Sequence, residues 1–448
     1  MSSGNGGASA EDAAIGAAAQ RKAAWRLLPI IGIGYCLAYI DRINISFASL
    51  RMNSELHFSA TAYGLGAGLF FIGYAACEVP SNLMLLRFGA RRWLARIMMT
   101  WGVLATAMMM VRTPWEFYTV RLLLGIAEAG FYPGILYYLT LWFAARARAR
   151  AVSRFYIALP LSSTVMGSLA GWLMGLDGRL GLTGWQWLFL AEGIPPILLG
   201  LVILRVLPDG PEQAAWLTQD EKTWVARQLE ADGAQAHLGH EVGVLRALLS
   251  PKVWMIGLFF FSALTCNYAY AFSAPAIYQA VTGWSVGNVG YLTAGIGIAG
   301  AAAMLFGGAS SDRTGDRALH CIVPCCVMAV GFLVASYAHP AWLVVTALAC
   351  TFMAFCALLP PGNALPMQFL AGRSAAAGIA AMNTITMFSG FIGNYWMGVM
   401  KDRTGSYWLG LRGLVIPSLM AAALMLVLTR SLARRKVKVS VELARETA

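Results

Sequence analysis

Four ionisable residues stand in stretches otherwise fit for lipid or a buried bundle. Arg121 and Glu128 interrupt EFYTVRLLLGIAEAGFYPGILYYLTLW (116–142), and Asp41 and Arg42 interrupt IGIGYCLAYIDRINISFASL (31–50). A helix has about 3.6 residues per turn and rises about 1.5 Å per residue, so Arg121 and Glu128 share a face about 10 Å apart along the axis. Adjacent Asp41 and Arg42 diverge by about 100° and must serve different partners. A charge at bilayer depth costs between about 2.5 and more than 10 kcal/mol, so such residues turn inward. A guanidinium stays charged and matches a carboxylate through paired hydrogen bonds. A buried carboxyl can take up a proton, favoured by desolvation and opposed by a neighbouring Arg. Two cations and two acids therefore supply an anion receptor and a proton carrier on a face that lines a solute pathway.

The elements that must hold these residues follow from composition. Of 448 residues, 58% are hydrophobic and only 12% charged, against about a quarter charged in a soluble domain. With a mean hydropathy of +0.63, the chain reads as an all-α polytopic membrane protein whose surface partner is the lipid bilayer. Apolar runs of about 20 residues fall near 26–50, 62–86, 93–112, 116–142, 152–176 and 186–207. After a polar stretch they resume near 252–277, 286–308, 319–337, 341–365, 374–400 and 408–430. This predicts twelve transmembrane helices in two six-helix bundles, 25–207 and 252–431. Residues 1–24 read as a disordered leader, 208–251 as a linker with an amphipathic helix, and 432–448 as a basic tail.

The net charge of +12 comes from clusters between the apolar segments, such as Arg146/Arg148/Arg150/Arg154 and Arg434/Arg435/Lys436/Lys438. No basic face interleaved with aromatics appears, which excludes nucleic acid. Of the 33 Lys and Arg, Arg42 and Arg121 lie in the membrane and six (Arg51, Arg112, Arg179, Lys401, Arg403, Arg412) lie on one side. The other 25 lie with the termini and the linker, which makes that side cytoplasmic.

The halves carry a weak internal repeat. SDRTGDR (311–317) follows segment eight, and LLRFGAR (85–91) stands at the matching place after segment two. Arg87, Gly89 and Arg91 thus correspond to Arg313, Gly315 and Arg317, while Leu86 stands where the second half has Asp312. These residues are expected to form a gating motif. The second half offers uncharged donors instead of charge, among them Asn267, Tyr268, Tyr270, Asn363, Gln368, Asn383 and Asn394. They suit recognition of the rest of a polar solute, with Tyr270 and Asn363 taken into the expected binding set. Glu78 and Glu192 read as interfacial or gate-network residues.

Other signals dissolve on inspection. Gly295, Gly297 and Gly300 spell GxGxxG, but a dinucleotide fingerprint needs a preceding strand and a free helix N-terminus. Inside an apolar segment, close helix packing accounts for the glycines. The eight Cys lie in apolar segments and read as small hydrophobes. The five His fall in loops or at segment ends, leaving no nucleophile–base or metal constellation. The expectation is no enzyme, cofactor or metal.

The residues resemble the major facilitator superfamily, and within it the anion:cation symporter family, in its bacterial tartrate and phthalate branch. The resemblance covers about 25–431. It rests on YIDRINISFA (39–48), FFIGYAACEVPSNLMLLRFGARRWLARIMMTWG (70–102), RLLLGIAEAGFYPG (121–134), GWQWLFLAEGIPP (184–196), SDRTGDR (311–317), ALPMQFLAGRSAAAGIAAMN (364–383) and YWMGVMKDRTGS (395–406). It implies two pseudo-symmetric bundles around a midplane site and proton-driven uptake of a small organic anion, such as tartrate, another hydroxy acid or an aromatic acid. The implied setting is a monomer in a bacterial inner membrane. By the same resemblance Arg42 holds the substrate carboxylate, Tyr74 and Asn383 line the pocket, and Asp41 and Glu128 exchange protons. Arg121 would set the proton affinity of Glu128. The chain departs from the branch in having Asn363 before ALP, Ile385-Thr-Met-Phe-Ser-Gly-Phe after Asn383, and Gly393-Asn394, so the second half of the pocket is atypical.

Overall fold

The computed structural model describes the backbone of residues 5–143, 158–237, 250–365 and 372–446. Among the described residues fourteen α-helices follow one another: α1 Asn5–Glu55, α2 Ala60–Phe88, α3 Ala90–Ala107, α4 Pro114–Glu128, α5 Phe131–Thr140, α6 Ala158–Met174, α7 Gly184–Val206, α8 Gln219–His237, α9 Pro251–Thr282, α10 Val286–Thr314, α11 Leu319–Tyr337, α12 Ala341–Ala364, α13 Gly372–Thr404 and α14 Trp408–Glu446. No strand occurs among the described residues.

Local chemistry sets several boundaries. Ser59 and Ser285 cap α2 and α10 by accepting from Ala62 and Asn288 N–H. Thr113 and Glu116 form a capping box at α4, with Pro114 in the first turn. The fourth expected segment breaks at Glu128: Ala129 is extended (ψ 133°) and Gly130 takes φ +83°. Pro133 has no N–H to return to the carbonyl of Ala129, so the helix ends and restarts there. A Cβ on Gly130 would stand 2.4 Å from Ser81 Oγ, so glycine also allows the close approach of α2.

Among the described residues ten helical stretches are long and apolar enough to cross a membrane: α1, α2, α3, α4 with α5, α7, α9, α10, α11, α12 and α14. The remaining two expected segments are also helical, as α6 and α13. The first is described only from Ala158, and the second is more polar. Two hydrophobic clusters form the core. One runs from Ala19 to Val225 with Tyr268 and Phe272 added, and the other from Val253 to Leu428.

The leader differs from expectation, being helical from Asn5 and continuous with α1. Helix α8 lies along this extension. The Trp224 ring sits 2.3 Å from where a Gly16 Cβ would be, Lys22 Nζ is 2.8 Å from Glu221, Arg227 Nη2 is 2.6 Å from Asp12, and Arg26 lies over Trp216. Apolar contact and charge pairing hold the helix there, which composition alone left undetermined for a Gly/Ala-rich leader.

These contacts define one end of the molecule, where the N-terminal helix and the linker meet. At the opposite end Trp185 Nε1 donates to Glu55 at 2.7 Å, and Arg51 approaches Asp177. Contacts between the halves gather towards that opposite end. There α2 packs on α13, with Gly64 against Asn394 and Gly398 against Ala60, and α6 packs on α10, with Gly167 against Gly290 and Gly171 against Gly287. Asp402 accepts from the N–H groups of Ala60 (3.0 Å) and Thr61 (2.7 Å), tying α13 to the start of α2.

Candidate functional site

All four intramembrane ions of the first half are buried: Asp41 2% exposed, Arg42 8%, Arg121 1% and Glu128 0%. Their helices position them by close packing. A Cβ on Gly125 would fall 2.0 Å from Phe70 O, and one on Gly73 2.4 Å from Leu122 O. Small residues thus bring α4 against α2 and set Arg121 and Glu128 beside the face carrying Phe70 and Tyr74.

Arg42 reaches across from α1 to Glu128 on α4. Its Nε donates to Glu128 Oε1 at 2.9 Å, and its Nη2 bonds the same oxygen. The guanidinium is framed by the rings of Tyr39, Phe70 and Tyr74, 5.1 to 5.5 Å from its carbon. Arg121 forms no ion pair among the described residues. Its Nε and Nη2 have no hydrogen-bond partner there, and its guanidinium lies over Phe70 at 5.0 Å. Asp41, about 100° around α1 from Arg42, accepts from Asn44 Nδ2 at 3.5 Å.

The adjacent pair therefore serves different partners, as the helix geometry requires. The cation bonded to Glu128 is Arg42, the residue expected to hold the substrate carboxylate, while Arg121 acts on that acid only through space. The reason is reach, since Arg121 sits two turns away along the same helix and Arg42 comes from the facing one. Chemically this is a closed ion pair beside a second guanidinium with open donors. An entering carboxylate would compete with Glu128 for Arg42.

Tyr74 lies in the cluster, 2% exposed. Tyr270 does not: its hydroxyl shares a hydrogen bond of 2.9 Å with Tyr278, and its ring packs on Phe352. It lines a separate cavity of about 30 Å³ with Ile43, Ser46, Ser163, Thr293 and Phe352, room for about one or two waters. The tyrosine that faces Arg42 is Tyr268, which packs on Phe71 at 4.5 Å. Two residues on a helix differ by about 200°, so the spacing separates Tyr268 from Tyr270 but cannot choose between them. Asn363 and Asn383 are half-buried. Gln368 and Arg146 to Arg154 lie outside the described residues.

The expected gating residues are placed at the end where the linker meets α1. Gly89 turns the chain between α2 and α3 with φ +86°, and Arg91 pairs with Asp209 (3.3 Å), which also accepts from Arg91 N–H. The acid missing beside Leu86 is thus supplied from the turn after α7. Arg87 is exposed and lies over Phe88. In the second half Gly315 (φ +71°) ends α10 and Arg317 donates to Ala364 O at 3.2 Å. Asp312 and Arg313 are exposed, and neither forms an ion pair among the described residues. Gly297 and Gly300 pack against Thr164 and Phe352, the close-packing role expected of that stretch.

The family model of the Major Facilitator Superfamily matches residues 31–394. The chain belongs to the major facilitator superfamily. It is 41% identical over 412 residues to a protein of Agrobacterium vitis named as a candidate tartrate transporter, covering 92% of this chain and 91% of that one. It is 43% identical over 387 residues to NicT of Pseudomonas putida, named as a candidate metabolite transport protein, covering 86% and 88%. It is also 37% identical over 421 residues, covering 93% and 96%, to a quinolone resistance transporter of Acinetobacter baumannii. A bacterial homologue of the lysosomal transporter Spinster, in an inward-facing state, shares the fold with a TM-score of 0.73 at 17% identity, over 91% of this chain and 97% of that one. As a member of this superfamily the chain is a membrane-spanning transporter and not an enzyme.

Proposed function

We propose that this transporter imports a small organic carboxylate together with protons, by alternating access of two six-helix halves that together hold twelve spans. The observation that carries this reading is the buried Arg42–Glu128 pair beside Arg121, whose Nε and Nη2 are unpartnered. A proton on Glu128 releases Arg42 to grip the substrate carboxylate in paired hydrogen bonds, and Arg121 offers a second donor set. Asp41 is the second proton carrier. Tyr74, and Tyr268 in place of Tyr270, frame the anion, while Asn363 and Asn383 enter the pocket from the second half as the halves move. Relatives named for tartrate and metabolite transport favour a hydroxy acid such as tartrate, with an aromatic acid next.

With the basic side cytoplasmic, the chain sits in the bacterial inner membrane with both termini inside, and the end where contacts between the halves gather faces out. Arg87, Gly89, Arg91, Asp312, Arg313, Gly315 and Arg317 then form the cytoplasmic gate. A second reading, export or exchange of an organic anion, is favoured by the quinolone resistance relative.

Uptake into proteoliposomes, with and without an imposed pH gradient, separates these readings. Import predicts accumulation when the outside is acidic. Glu128→Gln should keep substrate exchange and lose proton-driven accumulation. Accumulation in that variant with unchanged pH dependence would rule out the proton role of Glu128.

A further inference from the structure

One stripe of α13, at the three- and four-residue spacing of a helix face, lies against α2. Gly390 meets the Phe71 ring and Phe391 meets Gly68. A Cβ on Gly64 would fall 2.5 Å from Asn394 O, and one on Gly398 2.3 Å from Ala60 O. Asn394 stands in the middle of this stripe. It is 3% exposed, and neither its Nδ2 nor its Oδ1 has a hydrogen-bond partner among the described residues. Other polar side chains that reach between the halves are paired. Tyr63 Oη donates to Phe272 O at 3.0 Å, Thr164 Oγ1 donates to Ala294 O at 3.3 Å, and Asp402 accepts from two N–H groups of α2.

A side-chain amide has two donor hydrogens and an acceptor oxygen to satisfy, and burying it without partners is unfavourable relative to water. Gly64 and Gly398 determine where this happens. With no Cβ on either, the backbones of α2 and α13 touch around Asn394. The penalty therefore belongs to the arrangement in which the two helices touch. When they part, the amide meets water and the penalty is gone. A group that disfavours one of two arrangements shifts the population toward the other by that difference. Glycine packing and the Asp402 bonds draw the same end together, so attraction and penalty oppose each other on one seam.

We propose that Asn394 is a counterweight built into the seam: its unpaired amide keeps the contact of α2 with α13 reversible, so that the end where the halves meet can open. The inference rests on the alternating-access reading of this transporter. It adds a residue that acts on the balance between states and not on the substrate.

The test is the distance distribution between spin labels at exposed Arg51 on α1 and Arg403 on α13, in full-length protein reconstituted in liposomes with and without tartrate. Variants are checked for folding by size-exclusion chromatography. Asn394→Leu keeps nearly the same shape without the amide. It should lower the fraction at the longer, open distance about tenfold or more, the effect of relieving one or two unpaired buried groups, and slow tartrate uptake with it. Asn394→Ala also removes the amide and should shift the distribution in the same direction; it carries the test if the Leu variant does not fold. An open fraction at or above the wild-type value in the variant that carries the test overturns the proposal, since the amide would then be holding the seam together. A single wild-type distance, unchanged by tartrate or by pH, would instead remove the alternating-access reading, a distinct outcome.

Discussion

At the scale of single residues, the chemistry turns on how a buried guanidinium is shared. Arg42 places both its Nε and an Nη on one oxygen of Glu128, and the other oxygen has no hydrogen-bond partner among the described residues. Removing one partner of such a pair typically costs about 3–5 kcal/mol, because the other charge stays buried alone. Arg42→Lys keeps the charge but loses the planar fork. It should weaken anion binding about ten- to a hundredfold, the value of one charge-assisted hydrogen bond. Calorimetric titration of purified protein with tartrate and related acids would measure it, and wild-type affinity would count against carboxylate docking on Arg42. Residue types and spacing were enough to nominate Asp41, Arg42, Arg121 and Glu128. They were not enough to pair them, because a spacing is read along one helix and a partner is chosen across two.

At the scale of elements, small residues decide how closely α2 and α4 approach. A Cβ at Gly125 would overlap Phe70 O, at 2.0 Å, and backbone cannot yield as a side chain does. Gly125→Val should therefore destabilise the first half by several kcal/mol, at least the roughly 1–3 kcal/mol typical of overpacking. Thermal unfolding in detergent checks this, and an unshifted melting temperature would show that the contact is not tight. A second element, α8 on the extension of α1, has a pH signature. Burial alone would raise the Glu221 carboxyl, but Lys22 and the Thr218 N–H outweigh it and hold Glu221 below its ordinary value. The group is more acidic folded than unfolded, so its stabilisation is complete above about pH 4.3, the unfolded value. It is lost as pH falls through the lower folded value. Hydrogen exchange should show α8 losing protection in that acid window and not between pH 6 and 8. Lys22→Met should weaken the docking at neutral pH.

At the scale of the whole molecule, the halves meet where glycines and Asp402 let backbones touch. Asp402 bonds two free N–H groups at the start of α2, a helix end that favours negative charge. Asp402→Ala should loosen that end. Spin labels at exposed Arg51 and Arg403 should report a broader and longer distance distribution than in the unsubstituted chain. An unchanged distribution would mean that glycine packing alone holds the halves together there.

Hydropathy, charge placement and residue type are local quantities, and they sufficed for the membrane class, the sets of apolar segments and the choice of four ions that are buried together. Which way each helix turns is a property of its neighbours, so only the three-dimensional arrangement decided which side chains meet. That is why Tyr268 and not Tyr270 faces Arg42, and why Asp209 serves Arg91. The same reason covers the N-terminal stretch. Its Gly- and Ala-rich composition carries little stabilisation of its own, and it lies helical where Trp224, Glu221 and Arg227 of α8 offer a surface to pack on.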